Sequence, residues 1–552
     1  NTTGCYNFAV GYNAARCNIA GNFNHAVGYQ SLFNTTSGSY NTALGRDALY
    51  GNTTGGDNNA IGCGALCSNT TGCGNIAIGC KALKANTTAG CNVAIGFRPL
   101  YSNTVGCNNN AIGNDTLFEN ISGNHNFAAG EFALYYNKGG CDNTAIGQSA
   151  LMCNTHGGYN VAVGRCALKE NTTGGGNTAI GYLPLCLNTT GGCNTAIGNE
   201  ALRFNTTGAV NIAVGYLAMY ANTEGNYNTA LGNRALQSNT VGDYNTAIGD
   251  NALRASLSGD HNFAAGQCSL YSNWGGCHNT AIGCKTLCSN TTGNWNVAIG
   301  TLALPANTEG RYNTAIGENA LCSNTTGGCN NAQGRNALGS NTTGDHNTAI
   351  GYHTLLSNTT GEQNTAIGCG ALLSNTEGWY SQAIGCGALY SNVDGQNNNA
   401  IGRGSLYANI SGSNNNALGS YALNKNTTGC DNTAMGYSAL CSNTTGGCNT
   451  AIGNVALQNN TTGCCNIAIG YSALCKNTTG GSNTALGHCA MLNNTDGFGN
   501  TGISYKALCA NTTGDGNNAI GICALKSNID GCHNNALGCQ TLYTNTSGHY
   551  NT

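Results

Sequence analysis

The chain has 552 residues, of which only 7 % are charged, with 84 Gly, 32 Cys and 3 Pro. Ordinary globular domains carry about a quarter charged residues, so a conventional domain is excluded, and a 40 % hydrophobic content excludes disorder. The net charge of −3 supplies no field for nucleic acid or an anionic membrane, and no run of about 18 apolar residues is present to span a bilayer.

The opening segment, NTTGCYNFAVGYN, has no basic-then-apolar signal pattern. The chain begins in NTTG and ends in HYNT, both inside a recurring phrase, so it reads as a segment of a longer filament. From Gly11 onward a glycine recurs at every seventeenth position (Gly28, Gly45, Gly62) to Gly538, broken only by Ser504. Two residues earlier the column is Ala from Ala9 to Ala536, except Gly502. Four residues after the glycine stands Leu, replaced only by Ala15, Met219 and Met491. A fixed period without insertion is the mark of a solenoid.

Each unit has two short apolar runs, x-A-I and A-L-x, separated by G-x-x and by an N-T-T-G stretch. Runs this short, punctuated by Gly and Asn, predict strands. The expected fold is all-β: a parallel β-solenoid, or β-roll, of about 32 coils with about 17 residues and two short strands per coil, continuous over 1–552. Coils stacked about 4.8 Å apart predict a rod on the order of 150 Å.

Internal substitutions show which residues share a face. The usual N-T-A-I-G becomes N-F-A-A-G at 126–130 and 262–266, so Thr turns into Phe where Ile, two residues on, turns into Ala. Alternate strand residues point the same way, which makes this a size exchange on one face, with the near-constant Ala on the other. Both faces then read as covered: one by the coil's own core, the other by a partner, either another chain or another part of this one. Segments 121–147 and 257–283 align at an offset of eight coils, as expected of block duplication.

The NTTG asparagine column runs Asn1, Asn18, Asn52 to Asn545 and is Asn at all but Thr35 and Ser256. It is Asn even where no sugar acceptor exists, as at Asn103-Thr-Val, Asn222-Thr-Glu, Asn273-Trp-Gly and Asn392-Val-Asp. The fold therefore needs it, for a left-handed turn or for amide stacking. Glycosylation is a second expected use, with candidates at Asn52, Asn69, Asn86, Asn120, Asn171, Asn188, Asn205, Asn290, Asn324, Asn341, Asn358, Asn409, Asn426, Asn443, Asn460, Asn477, Asn511 and Asn545. Asn34, Asn114, Asn459 and Asn493 are acceptors outside the column. The competing reading is that Thr recurs because its hydroxyl satisfies the turn. The second column (Asn41, Asn58, Asn75, Asn92) seldom forms an acceptor and reads as structural.

The cysteines cluster beside the turns. Cys67 with Cys73, Cys186 with Cys193, and Cys322 with Cys329 bracket one NTTG turn. Cys5 with Cys17, Cys141 with Cys153, Cys277 with Cys288, Cys430 with Cys441, and Cys464 with Cys475 lie across adjoining coils. Cys63 with Cys80, Cys268 with Cys284, Cys369 with Cys386, and Cys523 with Cys539 lie sixteen or seventeen positions apart at the opposite turn. Together with Cys91 and Cys107, and Cys448 and Cys465, these are the candidate disulfides, leaving Cys166, Cys489, Cys509 and Cys532 over. Disulfides imply an oxidising, extracellular setting. The rival, metal binding, needs His with the Cys pairs, and the ten His do not follow them.

Catalysis has little to stand on. No pair of acidic residues recurs, no phosphate loop opens a helix, and Asp does not repeat as in calcium-binding β-rolls. His488–Cys489 is an isolated neighbour pair. The expectation is no enzyme, no cofactor and no metal.

The phrase N-T-A-I-G-x-x-A-L, as at Asn143 to Leu151, resembles the head repeats of trimeric autotransporter adhesins, and similar phrases occur in phage tail-fibre-like proteins. The resemblance implies a left-handed parallel β-roll that can be trimeric, serving in surface attachment. This chain departs from it in its longer repeat, its cysteines and its sugar-acceptor triplets. The expected function is the rigid shaft of an extracellular or cell-surface fibre, stapled by disulfides and N-glycosylated, with copies of itself and covalent glycans as partners and no nucleic acid or membrane insertion. The first alternative is a surface adhesin binding glycans through an exposed column, although Tyr and Trp look scattered. The second is an ice-binding solenoid, which needs a flat Thr-x-Thr array, whereas the Thr pairs sit on turns.

Overall fold

The computed structural model describes residues 2–552; Asn1, first of the NTTG column, lies outside the described residues. Contacts divide the chain into two compact units, Asn1–Cys277 and His278–Thr552. In the first, sixteen three-residue strands run from Phe8–Val10 to Phe263–Ala265. Within the unit, successive strands pair in parallel, as in Thr178↔Thr195, Ala179↔Ala196 and Ile180↔Ile197. In the second, sixteen strands from Thr280–Ile282 to Asn535–Leu537 keep the same register, as in Thr348↔Thr365 and Ile350↔Ile367. The all-β parallel solenoid is thus the fold. No helix among the described residues is long and apolar enough to cross a membrane.

One expected feature is corrected: each coil has one strand, not two. The A-L-x run is not extended, because the Leu column is left-handed, as at Leu66 (φ 49°) and Leu100 (φ 50°), and so is the residue two before it, as at Lys81 (φ 58°) and Arg98 (φ 53°). Alternating handedness turns successive peptide groups toward opposite neighbours. Lys81 N–H donates to Cys63 O in the preceding coil at 2.8 Å, while Leu66 N–H donates to Ala82 O in the following one at 2.9 Å. The left-handed residues cost roughly 1–2 kcal/mol each, offset by coil-to-coil bonding and burial of Leu.

The glycine that ends each strand is required by both conformation and space. Gly62 has φ +134°, and a Cβ there would collide with the carbonyl of Gly79. Ser504 accepts the same position at φ 105°.

The interior is narrow. Ala60, Ala65 and Leu66 are fully buried, and their counterparts repeat in coil after coil. The strand's Ala points inward and its two flanking residues outward, so the paired exchange at Phe127 and Ala129 lies on the outer face. Two irregularities explain each other. A Cβ on Gly502 would stand 2.8 Å from Cγ of Met491, so the only Gly in the Ala column compensates the longer side chain that replaces Leu opposite it.

Candidate functional site

The NTTG asparagines form a ladder inside the coil. Asn69 donates from Nδ2 to Asn52 Oδ1 at 2.8 Å and to Gly72 O at 2.9 Å. Asn188 does the same toward Asn171 Oδ1 and Gly191 O, and Asn443 toward Asn426 Oδ1 and Gly446 O. All the column's glycosylation candidates from Asn52 to Asn511 are wholly buried, and Asn545 is half-buried. A glycan replaces one Nδ2 hydrogen and needs a path to solvent, and the ladder leaves neither. The expectation that these asparagines are exposed is corrected accordingly, while the second Thr of the turn, as at Thr71, faces solvent. Outside the column, Asn114 and Asn459 are exposed, whereas Asn34 and Asn493 are half-buried.

Amide stacking, not backbone handedness, is what the column needs: Asn52, Asn69 and Asn86 are not among the left-handed residues. The first Thr of the phrase also bonds along the stack, with Thr53 Oγ1 donating to Thr70 O at 2.9 Å and Thr70 Oγ1 to Thr87 O at 3.0 Å. The second Asn column is a ladder too. Asn41 Oδ1 accepts from both the backbone and the side-chain amide of Asn58 at 3.1 Å.

Four residues after the NTTG asparagine, cysteine has a role that sequence reasoning missed. Cys73 Sγ accepts Gly56 N–H at 3.4 Å and donates to Thr71 O at 3.3 Å. Cys141 and Cys464 repeat this with Asn124 N and Gly139 O, and with Gly447 N and Thr462 O. In other coils the acceptor at this position is Asn124, Asp243 or Ser39. Cysteine is one of several side chains capping the backbone N–H of the preceding coil, and its alternation with Asn, Asp and Ser was the available signal.

None of the expected disulfides is formed in the structure. The candidate pairs divide by geometry. Cys63 and Cys80 share a column in neighbouring coils about 4.8 Å apart, as do Cys369 and Cys386, and Cys448 and Cys465. Cys91 and Cys107 sit one coil apart in adjoining columns, as do Cys523 and Cys539, whereas Cys268 and Cys284 belong to different units. Cys107 Sγ donates to Val105 O at 3.5 Å, within its own turn.

The remaining pairs place their two thiols in different surroundings. Cys186 is buried, whereas Cys193 beyond the same turn is exposed. Cys322 and Cys329 repeat those positions, half-buried and exposed. Both Cys193 (φ 58°) and Cys329 (φ 56°) are left-handed turn residues, so each belongs to a different column from its expected partner. Cys67 is half-buried, while Cys73 is exposed and makes the cap described above. Cys5 bonds within its own turn, to Thr3 O at 3.7 Å, and Cys17 is exposed in the following coil. Cys153 Sγ lies 3.4 Å from Glu170 Oε2, away from the cap made by Cys141. Cys475 reaches Gln458 Oε1 and Cys288 reaches Pro305 O, while Cys464 and Cys277 make caps. Cys430 caps Ser413 N, and Cys441 is half-buried.

Burial pushes the Cys153 and Cys186 thiols up to about 11, with Glu170 adding to the first and Cys166 to the second. Both are protonated at neutral pH and are poor nucleophiles there. Among the described residues, no three His, Cys, Asp or Glu side chains group to hold a metal ion.

The aromatic residues are ordered in columns. Tyr6, Phe23 and Tyr40 stack at 4.8 and 5.0 Å with ring planes within 9°. Tyr101, Phe118 and Tyr135 stack at 4.9 and 5.0 Å on another column, on which Tyr390 and Tyr407 also stand, at 4.9 Å. They look scattered in sequence because several columns contribute short runs.

The outer strand face carries an apolar column beside a column mostly of Thr and Asn. Ile61, Ile146 and Ile197 are 38–39 % exposed, and this column is Ile, Val or Leu in most coils. None of the 19 basic and 22 acidic residues falls within a strand. A scan against protein-family models finds no match, and no curated protein matches the chain.

Proposed function

We propose that the chain is a structural protein whose stacked coils form a stiff support and self-associate along the outer strand face. The observation that carries this reading is that face: a charge-free array, two side chains wide, in which a column mostly of Ile, Val and Leu runs beside one mostly of Thr and Asn over the sixteen strands of each unit. A column of exposed Ile, Val and Leu of this length marks an interaction site. Its period is one side chain about every 4.8 Å, and only a surface of equal period matches it throughout, which a second copy supplies. The size exchange at Phe127 and Ala129 fits a packed face, since a surface facing only water has no volume to conserve. The resemblance to adhesin-head and tail-fibre repeats agrees with this assignment. An extracellular setting rests on the three cysteine pairs that share a column, to be checked by peptide mapping without reduction.

The test is the sedimentation mass of the purified chain beside a double variant, Ile146→Lys with Ile197→Lys. A multiple of the 56.1 kDa chain mass, falling to the single-chain mass in the variant, is the expected result. A wild-type chain that sediments as a single copy at micromolar concentration overturns self-association.

A further inference from the structure

In the second unit, three successive coils carry glycine where most others carry a left-handed side chain: Gly370 (φ +62°), Gly387 (φ +65°) and Gly404 (φ +60°). The missing side chains open a cavity of about 580 Å³ on the side of the coils, within the size range of small-molecule sites. Its floor runs about 10 Å along the stack. One wall is the stacked pair Tyr390 and Tyr407, whose ring edges approach Gly370 and Gly387. Tyr421 closes one end, with the Arg403 guanidinium 5.8 Å from its ring centroid. Arg403 is exposed, and it is the only Lys or Arg in a lining that contains no carboxylate.

We propose that this groove binds a sugar ring carrying a carboxylate. The aligned ring edges and hydroxyls of Tyr390 and Tyr407 offer C–H surface and a polar rim, which suits a ring with C–H groups and peripheral hydroxyls. Arg403 supplies a planar fork of N–H donors matched to a carboxylate, and no neighbouring acid competes for it. The open shape, lined chiefly by aromatic rings with a few polar groups, suits such a ligand better than a metal ion or a long peptide. Two thiols, Cys369 and Cys386, border the opposite side and make no demand on the ligand.

Saturation-transfer NMR on the full chain tests this, with glucuronate and N-acetylneuraminate as probes and glucose and benzoate as controls. Transfer to both acidic sugars is expected, with glucose at least about tenfold weaker. Arg403→Gln should remove that preference, and Gly387→Arg should abolish binding by filling the groove. Arg98 and Arg234 stand at the equivalent position elsewhere at φ 53° and 54°, so this variant keeps the fold, which circular dichroism checks. No transfer to either acidic sugar, benzoate binding more strongly than they do, or binding undiminished in folded Gly387→Arg would each overturn the proposal.

Discussion

The coils around Arg98 and those around Gly387 are built on one plan and present opposite surfaces. Both carry a stacked aromatic run in the same column, Tyr101–Phe118–Tyr135 in the first unit and Tyr390–Tyr407 in the second. Three residues before these rings, the first unit has Arg98, Asp115 and Phe132, and the second has Gly387 and Gly404. Arg98 Nη2 lies 2.8 Å from Asp115 Oδ2, with its guanidinium 5.1 Å from the Phe118 centroid, so the space beside the rings is filled. The comparison teaches that aromatic ladders alone do not make a groove. A run of adjacent glycines does, and the isolated Gly64 lies in the same column among occupied coils.

Substitutions can test how far the two regions share a frame. The largest effect belongs to the strand-ending glycines. Gly96→Ala and Gly385→Ala should each cost more than about 3 kcal/mol in denaturant unfolding, because φ is +136° and +135° and a Cβ meets the next coil's carbonyl carbon at 2.7 Å. Equal losses would show a common frame; a large difference would break it. Next come Asn103→Ala and Asn392→Ala, each expected to lose about 2–3 kcal/mol by stranding buried ladder partners. Neither begins a sugar-acceptor triplet, so the loss reports on the ladder alone.

The aromatic columns should then separate the regions. Phe118→Ala removes a ring stacked on both sides and is expected to cost about 2 kcal/mol. Tyr407→Ala removes a ring with one stacked neighbour and should cost about half as much. The smallest stability change is expected for Gly387→Arg, about 1 kcal/mol, the lower end of the left-handed cost, because this column accepts left-handed side chains in other coils. A larger loss there would mean that the groove glycines serve the fold rather than the opening.

The asparagine column shows how legible the coil was and where the reading stopped. Its persistence where no sugar acceptor exists identified a structural residue, and the ladder from Asn52 to Asn69 bears this out. Its burial was not legible, because Asn-Thr-Thr-Gly has the composition of an exposed turn. The Leu column was read as a second strand because its apolar spacing suits one; its left-handed backbone follows from bonding to two neighbouring coils, which no single repeat encodes. The cysteine caps were missed for a related reason. Spacing shows which cysteines are near in sequence, whereas their partners are backbone groups one coil away.

The sequence by itself determined the period, the parallel stacking and the separation of Ala from Thr and Ile on opposite strand faces, since a repeat of fixed length without insertion forces equivalent residues into register. Only the tertiary structure decided which polar residues are buried, which cysteines cap backbone, and where three glycines open a groove. Those outcomes depend on the coil above and below, and the contacts that fix them join residues of neighbouring coils, as between Asn58 and Gly72 or Asn69 and Asn52.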